Sequence, residues 1–174
     1  MCEMCDGKSR AEVLEGMADT IATYGWAIQC VEAGYGSLSY AYTIGLTERF
    51  GHPELMIGNI KLGTVAAALN GLGQQVREGT TLRPYTAARV MGLEFPLVAV
   101  HQAHLQGDVF AGWHEMYRWL PSPWPLRVLE VLVPDQLVCY EHMGLGPYLA
   151  EAPNRLLTGP YRAARRPRGR RPER

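Results

Sequence analysis

The first apolar pattern in the chain has the period of a helix. Ser9 and Glu12 have the S-x-x-E form of a capping box. Beyond them, apolar residues recur at four-residue spacing, at Val13, Met17 and Ile21. Gly25 then supplies a C-terminal stop. We therefore predict an amphipathic helix that begins after Ser9 and ends before Gly25.

The pattern then changes to the two-residue period of strands, first from Trp26 to Val31. The segment 39–46 has a large face and a small face, formed by Tyr40, Tyr42, Ile44 and Leu46 and by Ser39, Ala41, Thr43 and Gly45. We expect the large face to belong to the core and the small face to let another element approach closely. A third strand is predicted from Glu54 to Ile60, antiparallel to the second.

The second half of the chain alternates between the two periods. A helix closed by Gly79 has an apolar stripe of Val65, Leu69, Leu72 and Val76, and its internal Gly71 and Gly73 indicate close packing. A strand over 93–101, a helical face over 109–120 and a strand over 126–133 follow. The order is α-β-β-β-α-β-α-β, so we predict one α+β domain over residues 1–161, with a mainly antiparallel sheet and about three helices.

Composition bounds the class of protein. The 174 residues are 47% hydrophobic and 20% charged, which is enough for one domain with a core. No apolar run approaches the roughly 18 residues of a membrane span, and residues 2–15 do not read as a signal peptide. Four cysteines do not make a disulfide framework. We therefore expect a reduced, cytoplasmic protein without a membrane partner.

The net charge of zero conceals a basic end. Residues 162–174 contain seven arginines and one glutamate, and no apolar side chain larger than proline. Such a segment cannot bury enough surface to offset its ordering entropy, so we predict a disordered tail. It can serve as a solubilising end, or it can bind nucleic acid or an acidic surface non-specifically. Nucleic-acid binding is expected only through this tail.

Two pairs of sulfur and nitrogen ligands make a candidate zinc site. Cys2-x-x-Cys5 is half of a tetrahedral site, and Cys139-x-x-His142 has the chemistry and spacing of the other half. Zinc is the cofactor that such a Cys3His set would take. The alternative is that Cys139 is a small core residue and His142 a surface residue.

A second candidate site collects polar residues from strand ends. His101 and His104 flank the end of a predicted strand, and His52 lies beside Glu54 after the second strand. If the strand ends meet, these four residues and Thr43 would line one ligand-binding cleft. With a carboxylate such as Glu54 or Asp108, the imidazoles would also suit a metal. The alternative for each is a structural role.

Several short blocks together resemble a known family. They are Met1-Cys-Glu-Met-Cys-Asp6, Gly25-Trp26, Ala41-Tyr-Thr-Ile-Gly-Leu-Thr47, Phe50-Gly-His-Pro-Glu-Leu55, Ala67-Ala-Leu-Asn-Gly-Leu72, Phe95-Pro-Leu-Val-Ala-Val-His101 and Val133-Pro-Asp135. Over residues 1–140 the chain resembles the bacterial family called domain of unknown function 4262, whose activity is unassigned. The segment Leu137-Val-Cys-Tyr-Glu-His142 departs from that family, whose members tend to have an aromatic-proline segment there.

A weaker likeness at the level of element order is to suppressor-of-fused-like domains. It implies a protein-binding module, and some of those domains are suspected immunity proteins of bacterial toxin systems. The chain contains no Walker sequence and no G-x-S-x-G elbow, and Arg118 stands where the H-E-x-x-H motif that begins at His114 would need its second histidine. The first hypothesis is therefore a non-catalytic protein- or ligand-binding domain, such as an adaptor. The alternative is a small metal-dependent enzyme that uses the cysteine pair or the histidines.

Overall fold

The computed structural model of the chain describes residues 7–31, 39–58, 62–118 and 124–133. The helices in this part are α1 (Arg10–Tyr24), α2 (Leu46–Phe50), α3 (Leu62–Arg77) and α4 (Ala111–Met116). The strands are β1 (Ala27–Val31), β2 (Tyr40–Ile44), β3 (Glu54–Gly58), β4 (Ala87–Val90), β5 (Leu93–Ala99) and β6 (Val128–Val131). Two 3₁₀ turns, Gln102–His104 and Asp108–Phe110, lead into α4.

The six strands of the described part form one sheet in the order β1-β2-β3-β6-β5-β4. Neighbouring strands are antiparallel except β3 and β6, which run parallel with Glu54 opposite Val128. The sheet is thus mainly antiparallel, and the predicted antiparallel pairing of the second and third strands is confirmed. The α+β class is confirmed as well.

The sheet has a hydrophobic core on each face. One core, which we call the α3 core, packs α3 against the sheet and includes Ala41, Leu55, Leu69, Leu72, Phe95 and Leu129. The other, which we call the aromatic core, brings residues of α1 and α4 onto the opposite face and includes Ile21, Tyr42, Phe110, Trp113 and Tyr117. Both faces of β2 are therefore buried, and α3 is the element that comes close to its small face.

Local signals in the sequence fix the ends of the helices as predicted. The Ser9 hydroxyl accepts a hydrogen bond from the Glu12 amide, and the Glu12 carboxylate accepts one from the Ser9 amide, so the capping box is formed. At the other end of α1, Gly25 has φ of 97° and donates its N–H to the carbonyl of Ile21. Gly79 has φ of 94° directly beyond α3.

The glycines inside α3 mark close packing, as predicted. A Cβ built on Gly73 would lie 2.6 Å from the Trp26 ring, and one on Gly71 would overlap Val90. The indole of Trp26 also donates a hydrogen bond to the Asn70 side chain. The helix can therefore approach β1 and β4 only because these positions carry no side chain.

The structure adds two elements that the sequence pattern did not predict, α2 and β4, and it shortens the helix predicted over 109–120 to the 3₁₀ turn and α4. Residues 46–50, which follow or end the strand predicted over 39–46, form the single turn of α2. The strand β4 is only four residues long, Ala-Ala-Arg-Val, and owes its conformation to pairing with β5. Residues 134–174, which include the predicted tail, lie outside the described part, so the domain boundary at 161 stays a prediction. No helix in the described ranges is long and apolar enough to cross a membrane.

Candidate functional site

Glu54 sits at the centre of a fully buried hydrogen-bond network. Its carboxylate accepts a hydrogen bond from the Thr43 hydroxyl at 2.7 Å. It also accepts three backbone N–H bonds of 3.1–3.2 Å from Gly45, Leu46 and Thr47, where α2 begins. The Thr43 hydroxyl in turn accepts the Leu55 N–H at 2.9 Å. Glu54 therefore supplies the cap that the sequence around Gly45 lacks.

The donors around Glu54 decide what the carboxyl can do. Burial raises its pKa above the ordinary value, and the four hydrogen bonds oppose that rise. Every one of these four partners donates, so the group acts as an acceptor on both oxygens. Its role in the folded domain is to hold the β2–α2 turn together with Thr43.

His52 is a buried structural clamp. Its Nδ1 lies 2.7 Å from the Pro53 carbonyl oxygen, and its Nε2 lies 3.0 Å from the Leu82 N–H. This pairing requires the neutral tautomer with the proton on Nδ1, because Nε2 must accept. Burial lowers the pKa of His52, which favours the same neutral form. Both ring nitrogens are thus used within the fold.

His101 comes to the same end of the sheet as Glu54. Val100 bonds to Val128, and Val128 is the neighbour of Glu54, so β6 alone separates them. That corresponds to a separation of roughly 10 Å, two strand spacings. His101 is half-buried, and its Nδ1 accepts the Ala103 N–H at 3.2 Å.

The neighbours of His104 and of His52 belong to different hydrophobic cores. His104 is buried, and Leu105 after it packs against the aromatic core. His52 instead bonds to Leu82 of the α3 core on the other face. The cleft that includes His52 has neither Glu54 nor His101 in its lining. Binding of a ligand by Thr43, His52, Glu54, His101 and His104 stays a prediction.

The two predicted metal sites differ in whether the structure describes their residues. In residues 7–31, 39–58, 62–118 and 124–133, no three His, Cys, Asp or Glu side chains are placed to hold a metal ion. The candidate zinc ligands Cys2, Cys5, Cys139 and His142 all lie outside those ranges. The zinc site therefore stays a prediction from the sequence alone.

Two open clefts meet at Phe50. The first, about 300 Å³, lies beside the end of α1 and is lined by Ala22, Thr23, Tyr24, Gly25, Glu48, Arg49, Phe50 and Arg77. The second, about 350 Å³, lies between the loops before β3 and before β4, and its polar side chains are His52, Thr80, Thr81, Arg83 and Arg127. We call the two clefts together the Phe50 surface.

Positive charge is concentrated on the Phe50 surface. The described part of the chain has eight basic residues, Lys8, Arg10, Arg49, Arg77, Arg83, Arg89, Arg118 and Arg127. Four of them, all exposed arginines, line the two clefts. Glu48 is the acidic residue of the lining, and its carboxylate accepts a hydrogen bond from the Tyr117 hydroxyl at 3.0 Å. The surface therefore has an excess of positive charge on a domain whose sequence outside the tail is acidic.

Exposed aromatic residues line the first cleft or follow a lining residue of the second. Tyr24 is 60% exposed and Phe50 is 37% exposed, and both line the first cleft. Tyr85 is 86% exposed and follows Pro84, which lines the second cleft. The sequence pattern did not predict the grouping of the arginines, because they are far apart in the chain and meet only through the fold.

These features define the class of protein: a small α+β domain with a mixed sheet between two helical layers, in which the polar residues at the strand ends brace the turns. The family model described as Domain of unknown function (DUF4262) matches residues 20–140, well over half of the chain. The chain belongs to that family, as the sequence blocks predicted. No curated protein and no solved structure matches it.

Proposed function

We propose that this protein is a non-catalytic binding domain and that its partner docks on the Phe50 surface. The observation that carries the proposal is the grouping of four exposed arginines around two open clefts that contain a single acidic side chain. Guanidinium groups bind carboxylate and phosphate oxygens through paired hydrogen bonds. An anionic group is therefore the natural occupant.

The hydrogen bonds of the buried polar residues favour a binding role over acid-base catalysis. His52 has a hydrogen-bond partner on each ring nitrogen, and the Glu54 carboxylate has four donors. A general base must reach a substrate proton within hydrogen-bond distance. Neither group can do so without giving up a bond that holds a turn.

The rigidity of the surrounding structure also suits a preformed site. Arg127 donates a hydrogen bond to the Gly51 carbonyl at 2.9 Å, and His52 ties the loop of Gly51 to Leu82. The walls of the second cleft are thus joined to each other before a partner arrives. Preorganisation of this kind lowers the entropy lost on binding.

Citrate, a small tricarboxylate, is the probe for the proposal. The full chain is titrated with citrate against chloride at equal ionic strength, and backbone amide shifts are followed by NMR. We expect shifts at residues 48–51 and 80–83, and their loss in the double variant Arg77→Gln/Arg83→Gln. The exposed Arg89→Gln, outside both clefts, is the matched control. Shifts confined to residues 162–174 would contradict the proposal.

A further inference from the structure

We infer that the occupant of the Phe50 surface is an extended acidic peptide segment of another protein, and that the Tyr85 ring packs against it. The inference rests on the proposed function and names its partner class. Its support comes from the backbone and exposure of Tyr85 and from the shape and composition of the two clefts.

Tyr85 combines a strained backbone conformation with an exposed side chain. Its φ is 62°, in the left-handed region that bulky residues disfavour, while its side chain is 86% exposed. Its N–H bonds to the Leu97 carbonyl at 2.7 Å, which fixes the backbone beside β5. Glycine would satisfy the same backbone without strain. The ring is thus held exposed on a strained backbone, and we place it in contact with the bound peptide.

The clefts have the dimensions of peptide side chains. Volumes of about 300 and 350 Å³ each admit one or two side chains, and the two clefts share Phe50 in their linings. One continuous chain can therefore occupy both. In an extended peptide, side chains on the same side recur roughly every 7 Å, so acidic residues can alternate with others.

The residue types are those of protein–protein interfaces. Arginine, tyrosine and phenylalanine are enriched in interface hot spots, where they combine a large contact area with few rotatable bonds. Single-stranded nucleic acid also uses arginines and rings, but it needs a basic groove that follows its backbone. Glu48 interrupts the basic lining of the first cleft, and a phosphate backbone, which carries a charge at every nucleotide, would have to pass it. A peptide can place a neutral residue beside Glu48 and its acidic residues beside the arginines, so the peptide is favoured and the nucleic acid becomes an outcome of the test.

The binding test uses a fluorescein-labelled peptide of alternating Glu and Tyr, eight residues long, and the same peptide with Gln for Glu. Fluorescence anisotropy with the full chain measures both affinities, alongside an eight-nucleotide single-stranded DNA. We expect the acidic peptide to bind at least tenfold more tightly than the other two probes. Arg77→Gln/Arg83→Gln should weaken it about tenfold, and the tail variant Arg170→Gln/Arg171→Gln should not.

A second test separates the ring from the fold. Tyr85→Gly should raise the melting temperature, because it relieves the positive φ, and should weaken the acidic peptide at least fivefold. Met91→Gly is the matched control, since Met91 has φ of 55°, is 55% exposed and lies at the far end of β4. It should raise the melting temperature and leave the affinity unchanged.

The outcomes distinguish this inference from the proposed function. Citrate shifts on the Phe50 surface without binding of the acidic peptide would overturn the peptide and leave the binding domain standing. Tighter binding of the DNA than of the peptide, lost in Arg77→Gln/Arg83→Gln, would also overturn it. An unchanged peptide affinity in Tyr85→Gly would overturn the role of the ring.

Discussion

The imidazole Nε2 of His52 accepts the backbone N–H of Leu82 at 3.0 Å, thirty residues further along the chain. This bond connects the loop between α2 and β3 to the loop between α3 and β4. Those loops form opposite walls of the second cleft. A buried histidine thus joins the two walls of the surface that we propose as the binding site.

Loss of the His52 clamp should destabilise the domain and change its pH dependence. We expect His52→Ala to lower the free energy of unfolding by about 2 to 3 kcal/mol, because it leaves the Leu82 N–H without its partner. The folded-state pKa is depressed, so the stability linked to neutral His52 is complete above the ordinary value of 6.5 and is lost as pH falls towards the folded-state pKa. Urea unfolding at pH 5.5 and 7.5 measures both effects. If the loss of unfolding free energy in His52→Ala is no smaller at pH 5.5 than at pH 7.5, the linkage is contradicted. The control variant is His101→Ala, which removes one longer hydrogen bond and should destabilise the domain less.

Glu54→Gln should be among the most destabilising isosteric changes in the chain. The amide group would point an N–H₂ at backbone donors that now bond to a carboxylate oxygen. We expect a loss of about 3 kcal/mol, in the range for breaking a buried charged hydrogen-bond network. Chemical denaturation followed by circular dichroism measures it. Glu94→Gln, an exposed carboxylate on β5, is the control, and equal losses in the two variants would refute the bracing role of Glu54.

The sequence predicted best where the signal is local. The cap at Ser9 and the stops at Gly25 and Gly79 each depend on residues within one helix or one turn, and all are present in the structure. Gly73 indicated close packing, but its partner Trp26 comes from another part of the chain and could not be named from the sequence. The turn α2 could not be predicted in this way. Its first amides are satisfied by Glu54, which the chain reaches only after Gly51 and Pro53, so the cap is a tertiary contact.

The candidate site shows the same division. The pattern Gly51-His-Pro-Glu54 marked residues that matter, but whether a histidine is a ligand or a clamp depends on Leu82, which no spacing rule connects to His52. The arginines of the Phe50 surface come from α2, α3, the loop before β4 and the residue before β6. Outside the tail, the charges of the sequence sum to an acidic value. That sum hides the local excess of positive charge, because it takes no account of which residues lie close together in the fold.

The glycine positions of two helices predict opposite effects of the same substitution. Gly73→Ala should destabilise the domain by about 1 to 3 kcal/mol, because the new methyl group would press on the Trp26 ring, which outweighs the gain in helix propensity. Gly16→Ala in α1 meets nothing within 4 Å and should stabilise by up to about 1 kcal/mol. Thermal unfolding of both variants checks this. Stabilisation by Gly73→Ala would show that α3 can shift away from Trp26.

Glu130 should make the domain less stable in alkali. Its side chain is 2% exposed between Met56 and Val98 of the neighbouring strands. Its Oε2 atom has no hydrogen-bond partner among the residues that the structure describes, and burial raises its pKa to about 8. The folded-state pKa lies above the ordinary value of 4.5, so the stability linked to the protonated form is complete below 4.5 and is lost as pH rises to 8.

Glu130→Gln does not ionise, and its stability relative to the natural chain should increase by about 3 kcal/mol between pH 6 and 9. Urea unfolding at the two pH values measures this difference, with exposed Glu94→Gln as the control for loss of one charge. A constant difference between Glu130→Gln and the natural chain would mean that the carboxyl ionises in the fold as readily as in the unfolded chain.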